Sequence, residues 1–182
     1  MPVDPNAVEM LIERSLDEFF SVEAENIALG TNERNLCGRL AIHLTTLLPE
    51  FGLQNYYADT EYNRKQNGRV KTILDHRDVV VTINCDLILH SRGESIAEDN
   101  IIAFEMKKST RPAREKDDDR DRLRAMTKST YDDIWSKDGV THPEHVCGYV
   151  RGVFIELDLA ARSYSVEKFS AGQPIGGYEG AF

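Results

Sequence analysis

Asp86, Glu105 and Lys107 put two hard oxygen donors and one ammonium within reach of a single hairpin, the makings of a site for one or two divalent cations beside a basic lysine. The segment Ile101-Ile102-Ala103-Phe104-Glu105-Met106-Lys107 is apolar enough for a buried strand, and side-chain period two then sets Ala103, Glu105 and Lys107 on one face. Two charges stand where a core strand should carry none. Upstream, Cys85-Asp86-Leu87-Ile88-Leu89-His90 reads as a second apolar strand with its own charge near the start, and the polar run from Ser91 to Asn100 makes the connection. A hairpin of these two strands brings Asp86 beside Glu105. Burying two carboxylates and an ammonium without partners is costly. The group is therefore either a structural ion pair, Lys107 with Glu105 or Asp86, or a site that takes a cation. Glu105 is the only acidic residue in the chain followed two positions later by Lys.

The elements that must position these residues have their own signals. A helix is expected after Thr31, which can cap it; Leu36, Leu40, Ile42, Leu44, Leu47 and Leu48 supply a broad apolar face, and Pro49 to Gly52 stop it. Glu33 falls in its first turn, where an acid also favours the helix dipole. Earlier, Val8, Leu11, Ile12, Leu16, Phe19 and Phe20 have the spacing of an amphipathic helix from about Asn6 to Phe20, to pack on the core or on a partner. Tyr56 to Tyr62 reads as a strand, Asn63 to Gly68 as a polar loop, and Asp78 to Ile83 as an extended run that can continue past Asn84 into the Asp86 strand. From Asp117 to Trp135 the period is helical, with Leu123, Met126, Thr127, Tyr131, Ile134 and Trp135 on one side and Asp117-Asp118-Asp119 as a dipole-favoured start. Val146 to Leu157 suits a strand buried on both faces, and Ser163 to Phe169 a half-buried edge strand. The Gly-rich tail from Ala171 to Phe182 is expected to be loosely held.

With its acid on one strand, acid-x-lysine on the next and a preceding helical Glu, the chain resembles the PD-(D/E)XK nuclease superfamily. Asp86 matches the first acid, Glu105 the second, Lys107 the lysine and Glu33 the helical glutamate; Cys85 stands where that superfamily prefers Pro. Glu61-Tyr62-Asn63-Arg64 adds a likeness to small stand-alone prokaryotic members. The resemblance spans roughly Thr31 to Leu157 and implies an α/β fold with a restriction-endonuclease-like α-β-β-β-α-β core. Such a core has a mixed sheet flanked by helices, here with an extra N-terminal helix and a C-terminal strand. It also implies a Mg²⁺- or Mn²⁺-dependent nuclease hydrolysing phosphodiester bonds, with DNA placed ahead of RNA as the nucleic acid. Asp86, Glu105 and Glu33 would hold metal, and Lys107 would position or deprotonate the attacking water. The competing reading is a catalytically silent nuclease-like fold that serves as a nucleic-acid or protein interaction module.

At 182 residues the chain suits one domain, residues 1–182, with 1–28 as a helical extension and 171–182 as a loose tail. A formal net charge of -9 argues against a general nucleic-acid coat protein, since nonspecific affinity comes mostly from phosphate neutralisation. A nuclease needs only a local basic track. Two stretches offer one: Arg64, Lys65, Arg69, Lys71 and Arg77, and Lys107, Lys108, Arg111, Arg114 and Lys116. Arg64, Lys65, Lys108 and Arg111 are the expected phosphate contacts, against the alternative of two solvated loops. Cys37, Cys85 and Cys147 are odd in number and widely spaced, which fits buried thiols in a reducing compartment rather than disulfides. His142, His145 and Cys147 match no strong zinc spacing. No apolar run reaches the length of a membrane span and the start of the chain lacks a secretory signal, so a cytoplasmic protein is expected. A homodimer is expected too, since cutting both strands of a duplex needs two sites and the Asn6 to Phe20 helix offers an apolar face.

Overall fold

The structure, a computed structural model, describes residues 3–61, 72–74, 80–82, 85–95, 98–128 and 148–182. Helix α1, Pro5–Ala28, starts where Asp4 accepts the Asn6 amide at 2.9 Å and Pro5 takes the first helical position, whose N–H would go unpaired in any case. Its stripe of Val8, Leu11, Ile12, Leu16, Phe19, Phe20 and Ile27 is buried, so the helix runs two turns beyond the expected Phe20. Helix α2, Glu33–Leu47, is capped by Asn32 rather than Thr31: the Asn32 side chain accepts the Asn35 amide at 2.8 Å. Leu36, Leu40, Leu44, Leu47 and Leu48 line its buried face as expected, but Ile42 is 56% exposed on the far side of the helix. A single 3-10 turn, Leu48–Phe51, then ends at Gly52, whose φ of 71° favours glycine.

Six strands form one mixed sheet: β1 (Tyr57–Thr60), β4 (Leu87–His90), β5 (Asn100–Lys108), β6 (Arg151–Asp158), β7 (Ser163–Ser170) and β8 (Gln173–Ala181), in that spatial order. Two further short strands, β2 (Thr72–Leu74) and β3 (Val80–Thr82), pair with each other apart from it. The Asp78 to Ile83 run therefore contributes to a separate ribbon at Val80–Thr82, and Ile83 and Asn84 lie outside the described residues. Neighbours in the main sheet are antiparallel except β5 and β6, which are parallel and joined through helix α3, Ala113–Thr127. A parallel pair requires such a crossover.

Strand alternation divides the core into two layers. Leu87, Leu89, Ile102, Phe104, Met106, Val153, Ile155 and Leu157 pack with α1 and α2, whereas Ile88, Ala103 and Phe154 pack with Leu123, Ala125 and Met126 of α3. Helices thus cover both faces. Close approach of α3 to the sheet depends on Gly152, where an added Cβ would lie 3.1 Å from Thr127 and 3.2 Å from Leu123.

Four expectations are corrected here. Helix α1 is no appendage: its stripe belongs to the main core, and the apolar face that suggested dimer pairing is covered by the chain itself. Residues 173–181 are not loose but form β8, paired along its length with β7. Consequently β7 lies inside the sheet and β8 takes the edge. Helix α3 begins four residues before Asp117, which moves the Asp117 to Asp119 run into its second turn; the expected helical positions Tyr131, Ile134 and Trp135 lie outside the described residues.

Candidate active site

The β4–β5 hairpin places the first acid. Leu87 pairs with Phe104 across the strands, so Asp86, one residue before β4, falls beside Glu105 and Met106. Backbone contacts hold it there: the Asp86 carbonyl accepts the Glu61 amide at 3.2 Å, and its Oδ2 accepts the Met106 amide at 2.9 Å. Lys107 Nζ donates to the same Oδ2 at 3.3 Å.

Glu105 and Lys107 share the face of β5 that Ala103 turns to α3, as period two requires. Glu105 has no exposed surface. Its Oε1 accepts a hydrogen bond from Arg122 Nη1, while Oε2 is buried with no hydrogen-bond partner among the described residues. A buried carboxylate oxygen without a donor is costly to keep. Helix α3 supplies the rest of the cluster: Asp119 Oδ1 accepts from Arg122 Nη1 at 2.9 Å, and Asp119 Oδ2 lies 2.9 Å from Lys107 Nζ. Three carboxylates, Asp86, Glu105 and Asp119, therefore share two cations, Lys107 and Arg122.

Electrostatics follow from that imbalance. Burial pushes the Glu105 carboxyl well above the ordinary range; Arg122 opposes the shift, and Asp86 and Asp119 add to it. Burial pulls the Lys107 ammonium toward its neutral form, but Asp86, Asp119 and Glu105 outweigh it and raise its pKa above the ordinary lysine value. These carboxylates thus favour the ammonium form of Lys107. Arg122 is likewise held charged by Glu105 and Asp119 against its own burial.

Glu33 reaches the same end of β5 with different partners. Its Oε1 accepts the Lys108 amide at 3.0 Å and Arg111 Nε at 3.1 Å, and its Oε2 accepts Arg111 Nη2 at 2.8 Å. Partial burial pushes its carboxyl up, but Arg111 and the Lys108 amide outweigh that and hold it below the usual range. Both oxygens are therefore engaged by Arg111 and the Lys108 amide. Of the expected phosphate contacts, Lys108 and Arg111 stand together at this end, and Arg64 and Lys65 lie outside the described residues. Cys37 and Cys85 are buried free thiols whose pKa burial raises well above the ordinary value; Cys147, His142 and His145 lie outside the described residues.

Asp86 and Glu105 are oxygen donors of the kind that hard divalent cations take. Two carboxylates stand together, one of them with a buried oxygen in want of a positive partner. Among the described residues no group of three His, Cys, Asp or Glu side chains is arranged to hold a metal ion alone. Sequence reading missed Asp119 and Arg122 because it took the acidic run for a helix start. Their spacing of three residues, one turn of helix on one face, was the available signal. No helix among the described residues is long and apolar enough to cross a membrane. Comparison with protein families, with curated proteins and with solved structures gives no match to this chain.

Proposed function

We propose that this chain is a divalent-metal-dependent nuclease of the PD-(D/E)XK type, a cytoplasmic enzyme acting on DNA ahead of RNA. The observation that carries this reading is the fully buried Glu105 carboxylate, paired on one oxygen, bare on the other and set beside Asp86. A buried oxygen left without a hydrogen-bond donor is a place that a cation can take. With the separate β2–β3 ribbon set aside, the order α2, β1, β4, β5, α3, β6 supports the same reading, since it follows the α-β-β-β-α-β sequence of that superfamily.

Asp86 and Glu105 would hold Mg²⁺ or Mn²⁺, with water and a phosphate oxygen completing the shell. When bound, such an ion acidifies a water and draws charge off the phosphoryl oxygens. Lys107 would position or deprotonate the attacking water and, as an ammonium, would stabilise negative charge developing on the phosphoryl group. Asp119 positions Lys107. Arg122 balances Glu105 and also pairs with Asp119.

One feature favours the silent-module reading instead: Lys107 and Arg122 already give each of the three carboxylates a cationic neighbour. Calorimetric Mn²⁺ titration, run beside cleavage of labelled DNA and RNA with Mg²⁺, Mn²⁺ or EDTA, separates the two. Metal binding with metal-dependent cleavage is expected. Binding without cleavage favours the silent module, and no binding even with nucleic acid present ends the nuclease reading.

A further inference from the structure

A cavity of about 360 Å³ opens at the C-terminal end of β5, lined by Asn32, Glu33, Arg34, Lys108 and Arg111. Among the described residues its lining holds no aromatic or aliphatic side chain to stack a base or bury an apolar group. Three of the five residues are cationic, on a chain whose net charge is -9. Glu33 takes two nitrogens of Arg111, and Glu61 takes Arg34 Nε at 2.6 Å. Lys108 Nζ donates to the Gly30 carbonyl at 2.7 Å and meets no acid in these contacts. Three carboxylates, Glu33, Glu61 and, at 4.0 Å from Arg111, Glu115, stand against the three cations, and Lys108 is the cation whose contacts here leave it open to a phosphodiester. Arg34 and Arg111 are also exposed enough to turn onto a ligand, with side-chain exposures of 74% and 49%.

Lys108 directly follows Lys107, so the cavity and the carboxylate cluster share one strand end on opposite faces. We propose that this cavity seats a second phosphate of the nucleic-acid strand, beside the scissile one, and that Glu33 is a positioning residue for Arg111 and Lys108 instead of a metal ligand. The proposal rests on the nuclease reading for its substrate class. Arg111 and Arg34 supply planar donors suited to phosphoryl oxygens, and Glu33 fixes the angle of Arg111 by its two-point contact.

The test is oligonucleotide binding by fluorescence anisotropy in EDTA across a salt series, for wild type, Arg111→Gln, Arg34→Gln and Glu33→Gln, each also titrated with Mn²⁺. Each arginine variant is expected to bind more weakly and to lower the salt slope by roughly one released counterion, with Mn²⁺ affinity unchanged. Glu33→Gln is expected to keep wild-type Mn²⁺ affinity and weaken oligonucleotide binding. Arg34 is exposed enough that its replacement leaves the fold intact, so a misfolded Arg111 variant does not blunt the test. Probes with a 5′-phosphate or a 5′-hydroxyl distinguish the source: a loss confined to the phosphorylated probe assigns a strand end, and an equal loss assigns an internal phosphate. Unchanged affinity and slope in both arginine variants overturn the seat, as does loss of Mn²⁺ binding in folded Glu33→Gln. Failure of the nuclease reading shows separately, as absence of Mn²⁺ binding in the wild type.

Discussion

Replacing Glu105 by Gln keeps the side chain's shape and removes the charge that faces the expected cation. Glu105→Gln and Asp86→Asn should each weaken Mn²⁺ binding by at least about tenfold, the smallest loss usual for groups that only support a metal ligand, and cleavage should fall with it. Lys107→Ala should lower cleavage by about 10²–10⁴-fold, the usual worth of a positioned catalytic group. Metal affinity should hold or rise in that variant, because an ammonium beside the cation is gone. Calorimetry read beside melting temperatures checks this; a Lys107→Ala protein that loses metal while folded would contradict the division of roles. A second residue-scale prediction concerns Asp59, which accepts Arg92 Nε at 2.7 Å and Nη2 at 2.6 Å and lies 3.0 Å from His90 Nε2. Partial burial raises its carboxyl, but Arg92 and His90 outweigh that and hold it below the ordinary range. A depressed carboxyl adds stability that is present above the unfolded value of about 3.9 and is lost as pH falls through the folded value. Asp59→Asn should therefore cost about 1–3 kcal/mol at neutral pH, with the difference from wild type closing in acid. Urea melts across pH measure it, and a difference independent of pH would contradict the assignment.

Among the elements, α1 contributes a long buried stripe to the main core. Leu16 is fully buried in the layer shared with α2 and the sheet, so Leu16→Ala should destabilise the chain by about 2–5 kcal/mol, as a removed core side chain leaves a cavity that closes only in part. Met10, on the same helix but 52% exposed, serves as the control: Met10→Ala should change stability by less than about 0.5 kcal/mol. Two polar ties also join this helix to the rest of the fold. Glu9 accepts from Lys168 and from Arg151 Nε, the latter at 3.0 Å, and the buried Glu23 accepts Arg39 Nε of α2 at 2.8 Å. Equal melting temperatures for Leu16→Ala and wild type would place α1 outside the cooperative unit.

At the scale of the whole molecule, the two layers share one sheet, so each helix covers apolar surface that no other element can cover. Deleting residues 1–28 should uncover Leu36, Leu40 and the α2-facing side of β5 and β6 together. The shortened chain should lose its cooperative thermal transition in place of melting as a trimmed domain. Calorimetry decides: a sharp transition within a few degrees of the full chain would restore the view of 1–28 as an extension. Because this same packing occupies the α1 stripe, any homodimer must form through another surface.

Local pattern was enough for those parts of the protein whose signals repeat along the chain. Period two in 101–107 set Glu105 and Lys107 on one face, the apolar run at 85–90 made its hairpin partner, and the stripes of α1 and α2 named their buried leucines, because side-chain periodicity is a property of neighbours in sequence. Where elements distant along the chain meet, sequence was silent. That Asp119 and Arg122 close the site depends on α3 crossing over β5, and that Glu33 binds Arg111 depends on α2 lying against the end of β5. β8 shows the same limit: Gly176, Gly177 and Gly180 have poor strand propensity, and their extended form comes from pairing with β7. There an added Cβ at Gly177 would lie 2.1 Å from the Val166 carbonyl oxygen, so the residue is set by a backbone that only the folded sheet brings near.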